Sequence, residues 1–108
     1  MKMKFTVQER IILESVFPKV QGKLEVVKDA AWFKKDISLS SQEKIEINYK
    51  VKDGESLWDK EQELVKGIEV TDNIKPIIVA VLKMMVDKEM ITEEVLSLCD
   101  KFIPETEK

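Results

Sequence analysis

Seven apolar residues, Ile74, Ile77, Ile78, Val81, Leu82, Met85 and Val86, recur at i, i+3, i+4, i+7, i+8, i+11 and i+12. That spacing lines one side of an α-helix of 3.6 residues per turn and fits no strand. The chain must therefore build an amphipathic helix over about 73–89 and supply something for its apolar side to cover. Pro76 falls in the first turn, where a missing N–H does least harm. Val79, Ala80, Met84 and Met90 add apolar surface beyond the main stripe, so residues 77–82 are apolar all round. A helix of that kind buries more than one side. The second side meets either the rest of the chain or another copy, which makes the helix from Ile74 to Val86 a candidate homodimer surface.

The remaining elements announce themselves by their ends. Thr6-Val7-Gln8-Glu9 has the Ser/Thr-x-x-Glu spacing of a capping box, in which each side chain accepts from the other residue's backbone N–H. A first helix over 7–17 follows, ended by Pro18 and Gly22. Leu24, Val27 and Ala31, with a second row Val26, Ala30 and Phe33, predict a second helix over about 24–35. Ser40-Ser41-Gln42-Glu43 repeats the capping box, but the short apolar content behind it allows only one or two turns. In Asn48–Trp58, β-prone residues bracket Asp53-Gly54, a pair suited to the positive φ angles of a type I′ turn, and a β-hairpin is expected in which Ile47, Tyr49 and Val51 on one arm and Leu57 on the other share a face. Residues 59–67 carry no clear period. Ile68-Glu69-Val70 reads as a short third strand, and Thr92-Glu93-Glu94 opens a last helix over about 93–103, ended by Pro104 with residues 105–108 frayed. The fold class is α+β: about five helices with one β-hairpin and a C-terminal helical hairpin. With 108 residues, 44% hydrophobic and 36% charged, and no linker, residues 1–108 form a single compact domain on this reading.

The composition excludes more chemistry than it offers. There is no histidine and only one cysteine, which removes His-based acid–base pairs, intrachain disulfides and cysteine clusters for metal. No phosphate-loop, dinucleotide, nucleophile-elbow or EF-hand spacing occurs. Asp53, Glu55, Asp59, Glu61 and Glu63 are numerous enough to raise paired-carboxylate chemistry, but a spacing of two does not converge on a helix, and solvated acids are the ordinary outcome. Cys99 sits late in its helix beside Asp100, the wrong surroundings for a lowered thiol pKa. The reading is no enzyme, no cofactor and no metal.

No apolar run approaches the roughly 20 residues of a membrane helix. The start, Met1 to Phe5, lacks a secretory apolar core. A cytoplasmic protein is expected, in keeping with a lone cysteine. Net charge is −3, but residues 1–52 carry 11 basic and 7 acidic side chains, and residues 53–108 carry 7 and 14. Such a split can orient a partner. Of the 18 basic residues only Arg10 is arginine, and lysine lacks the planar fork that reads phosphate and guanine edges in pairs. Adjacent Trp32 and Phe33 diverge by about 100° on a helix, so one of them is a candidate for exposure. Trp32, Trp58, Val79 and Met84 are the partner-binding candidates, since exposed aromatic anchors often dominate an interface.

In order along the chain, TVQERIILESVFPK, QGKLEVVKD, YKVKDGESLWD, KGIEVTDNIKPIIVAVLKMM and DKEMITEEVLSLCDKFI resemble small, uncharacterised proteins of tailed-phage and prophage gene clusters. The resemblance spans most of the chain and contains no catalytic motif. It implies a phage or prophage origin, a bacterial host cytoplasm and an accessory role, with no functional residue to carry over. Two functions compete. One is a non-catalytic module that binds a host or phage protein through apolar surface. The other is a winged-helix-like nucleic-acid binder, which uses the basic N-terminal half with Lys50 and Lys52 on the hairpin. Against the second stand Glu43 and Glu46 on its proposed recognition helix.

Overall fold

The structure, a computed structural model, describes residues 1–59 and 64–103. It is α+β. In chain order the elements are β1 (Lys2–Thr6), α1 (Val7–Val16), α2 (Leu24–Ile37), α3 (Ser41–Glu46), β2 (Lys50–Lys52), β3 (Glu55–Leu57), β4 (Val65–Glu69) and α4 (Lys75–Asp87), followed by a 3-10 turn (Glu93–Val95) and α5 (Leu96–Phe102). The strands form two separate antiparallel pairs, β1 with β4 and β2 with β3.

β1 is absent from the sequence reading. Its signal was a five-residue alternation in which Met3 and Phe5 turn inward while Lys2, Lys4 and Thr6 face water. Its partner lies more than 60 residues away, where Met3 stands opposite Ile68 and Phe5 opposite Lys66. The expected strand at Ile68–Val70 is longer and earlier, Val65–Glu69, and pairs with the N-terminus. Lys66 shares the inward face and carries its charge out to the Asp36 carbonyl, donating from Nζ at 3.0 Å.

Both capping boxes form as expected. The Thr6 hydroxyl accepts from Glu9 N–H while Glu9 accepts from Thr6 N–H, and Ser40 and Glu43 do the same at α3. Asp53 and Gly54 both hold positive φ, 52° and 79°, as a type I′ turn requires. The hairpin faces differ from expectation. Val51 pairs with Ser56 and Lys50 with Leu57, so Leu57 lies on the face opposite Val51. A two-residue loop fixes that register, and period-two alternation then separates the two side chains. The last helix also departs, opening as a 3-10 turn with no side-chain cap from Thr92. Residues 60–63 and 104–108 lie outside the described part, and with them the middle of the uncertain stretch 59–67, including Glu61 and Glu63, and Pro104 with the tail expected to fray; the end of that stretch, from Val65, belongs to β4.

The main stripe of α4 meets the chain's own core. Ile74, Ile78, Leu82 and Met85 are buried, and Ile77 and Val81 pack at the margin. They close over Phe5 and Ile68 of the sheet, Leu13 of α1, Ala30, Phe33 and Ile37 of α2, and Leu98, Cys99 and Phe102 of α5. Phe5 and Phe102 stack with ring centroids 6.1 Å apart. Asp29 on α2 accepts from the Thr71 hydroxyl at 2.9 Å and the Asn73 amide at 3.0 Å, which pins the turn leading into α4.

Candidate docking surface

The sole arginine is an interior group. Arg10 is 0% exposed. Its Nε donates to the Ile37 carbonyl at 3.1 Å and one terminal nitrogen donates to the Ser38 carbonyl at 2.9 Å, satisfying carbonyls that the end of α2 leaves open. The fork then takes both oxygens of Glu43 at 2.7 and 2.9 Å. Glu43 thus caps α3 and pairs with α1 in one arrangement. The Arg10 guanidinium, against the partial burial and together with the Ser40 N–H, brings the Glu43 pKa from 4.5 down to about 2.

The other capping glutamate is used in the same way. Glu9 is buried, and its Oε1 accepts from Lys101 Nζ at 2.6 Å and from Thr6 N–H at 2.9 Å. Lys101 Nζ also donates to the Lys4 carbonyl at 2.7 Å, so one ammonium ties α5 to β1 and α1. Burial pushes the Glu9 carboxyl up, but the hydrogen bonds from Lys101, Thr6 and Ser97 outweigh it and its pKa falls below the ordinary value. These two constellations hold charge in the interior, with Glu9 Oε2 buried and without a hydrogen-bond partner.

With Arg10 interior, the basic groups left on the surface are lysines, and large apolar side chains stand exposed among them. α2 buries Ala30, Phe33 and Ile37, and a helix that points those residues inward points Leu24, Lys28, Ala31, Trp32 and Lys35 outward. Trp32 is 73% exposed and Leu24 69%. Of the adjacent aromatics, Phe33 therefore takes the core position and Trp32 the water. Lys28 and Lys35 stand one turn before and after Trp32, and Lys23, Leu24, Glu25 and Lys28 bound a shallow depression at the start of the helix. This face carries Trp32 and Leu24 two turns apart, with Lys23, Lys28 and Lys35 and a single acid, Glu25, around them.

The other candidates lie elsewhere and do not join Trp32 on its helix. Trp58 is half-buried beside the hairpin, with Asp59 N–H donating to the Ile47 carbonyl next to it. Val79 is half-buried against the core. Met84, at 45%, is exposed on the outer side of α4. A feature the sequence reading did not identify lies between the end of α4 and α5. There an open groove of ≈ 400 Å³ is lined by Val86, Glu89, Ile91, Leu96, Cys99 and Ile103. Leu96 is 51% exposed at its wall, while Cys99 and Ile103 form its buried floor. The hint was Val86 at the trailing end of the α4 stripe, where the core no longer reaches.

Among the described residues no three acidic or cysteine side chains converge at metal-binding distance. No helix among them is long and apolar enough to cross a membrane. Comparison with protein-family models, curated proteins and solved structures returns no match for the chain.

Proposed function

We propose that the chain is a non-catalytic protein-interaction module whose docking surface is the outward face of α2. The observation that carries this reading is Trp32, a large aromatic left in water on α2, with exposed Leu24 two turns earlier and Lys28 between them. Tryptophan anchors ringed by polar groups are the usual centres of binding energy at interfaces. The lysines select an acidic partner, since complementary charge steers encounter. The resemblance to small phage and prophage proteins supports an accessory role in a bacterial cytoplasm. The test is capture from bacterial host lysate with the native chain and with Trp32→Ala. A stoichiometric partner retained by the first and lost by the second is expected. Retention by both removes Trp32 from the interface, and repeated absence of any partner removes the reading.

A second reading, nucleic-acid binding, is favoured by the projecting hairpin, whose β2 is exposed throughout and carries Lys50 and Lys52 on one face. Burial of Arg10 weighs against it, because only lysines are left to meet phosphate and none can fork onto a base edge. Salt-dependent retention of duplex DNA at about 50 mM salt supports this reading, and its absence there ends it.

A further inference from the structure

We propose that the chain associates head to tail, with the Trp32 face of α2 in one copy seated in the groove between α4 and α5 of the next. The inference rests on the reading of Trp32 as a docking anchor and names the surface that receives it. Three observations point to a second copy.

The first is charge. The α2 face presents Lys23, Lys28 and Lys35 against one acid, Glu25, whereas the groove has Glu89 in its wall, Asp87 beside Val86 and Glu93 one 3-10 turn before Leu96, against one base, Lys88. Basic rim meets acidic rim, an arrangement that favours this pairing and opposes basic-on-basic or acidic-on-acidic contact of two copies. The second is shape. Trp32 projects with most of its surface in water, and the groove is open, of ≈ 400 Å³, with apolar walls at Val86, Ile91 and Leu96 and an apolar floor. The third is position. The knob lies on α2 and the groove lies on α4 and α5, so each copy carries both halves of the contact. Repeated in one direction, that contact is heterologous and leaves a free knob at one end and a free groove at the other. Such assembly is open-ended and, with so small a contact, weak.

The experiment is sedimentation velocity on the full chain from about 10 µM to about 1 mM at low salt, the range in which a small interface is populated. The native chain is expected to show a weight-average mass that rises with concentration and falls back as salt screens the rims. Trp32→Glu removes the knob and keeps the groove; Leu96→Glu removes the groove and keeps the knob. Each alone is expected to be monomeric, and their equimolar mixture is expected to give a 1:1 dimer and nothing larger. Both residues are exposed, and circular dichroism checks that each variant is folded. Lys28→Glu and Glu89→Lys provide a second pair, each weakening native-type assembly and partly restoring it when mixed. A native chain that stays monomeric throughout overturns the head-to-tail contact, as does assembly that survives either glutamate variant or a mixture of the two that stays monomeric. If the native chain is monomeric and lysate capture still depends on Trp32, the docking role of Trp32 stands and only the second copy is excluded.

Discussion

Arg10 shows how far one residue's role depends on what surrounds it. In sequence it is the only arginine among 17 lysines, the one side chain with a planar fork. In the fold it is fully buried, bound to two helix-end carbonyls and a carboxylate. The planar fork is what serves three acceptors at once, so Arg10→Lys is expected to lose on the order of 3 kcal/mol, close to the cost of breaking a buried pair. Urea unfolding at neutral pH measures it. The same contact has a pH signature. A carboxyl whose folded pKa lies below its unfolded value adds stability above the unfolded pKa and loses it as pH falls through the folded one. For Glu43 that window runs from 4.5 down to about 2. Glu43→Gln is expected to flatten the acid limb of stability across it, with the urea midpoint against pH as the readout. An unchanged limb would mean that the guanidinium does not hold the charge in solution.

At the scale of elements, local chemistry was legible and pairing was not. Both capping boxes, the helix over 75–87 and the Asp-Gly turn are visible in the sequence because each is set by groups within four residues of one another. The hairpin register was misjudged because the face on which Leu57 falls depends on the count across the loop, where a shift of one residue reverses every side chain. The turn itself is demanding. Gly54→Ala is expected to destabilise the hairpin by about 1 kcal/mol, since a Cβ is strained at φ +79° even though nothing crowds it. Asp53→Asn should be neutral or mildly favourable, because asparagine tolerates the left-handed region better than other side chains. Faster amide exchange at Glu55 and Leu57, whose N–H groups face the partner strand, in the first variant and not in the second is the check. β1 was missed for the opposite reason: its alternation was present, but a five-residue strand has no meaning without its partner.

At the scale of the whole molecule, Lys101 joins α5 to β1 and α1. It reaches from the last turn of α5 to the Lys4 carbonyl and to Glu9, and lies 5.3 Å from the Phe5 ring centre. Lys101→Met keeps much of the packing and strips Glu9 of its cation. The expected cost is on the order of 3 kcal/mol at neutral pH, because a buried carboxylate is left without its partner. It should shrink in acid as Glu9 takes a proton, and the double variant Glu9→Gln, Lys101→Met should recover part of it. Thermal unfolding across pH separates these outcomes; a loss that does not vary with pH would place the effect in packing instead. The charge split between the two halves has its counterpart in space, since the lysine-ringed face belongs to α2 and the acid-rimmed groove to α4 and α5.

By itself the sequence determined the α+β class, the positions of the helices, the two capping boxes and the turn, since each follows from side-chain periodicity or from hydrogen bonds closed within a few residues. It also narrowed Trp32 and Phe33 to one inside and one outside. Only the tertiary structure decided which of them is in water, that both capping glutamates pair with distant cations, that Arg10 is interior, and that a groove opens behind Val86. Those are long-range facts. They depend on which surfaces the core covers, and burial is a property of the packed assembly of elements that no local stretch of residues contains.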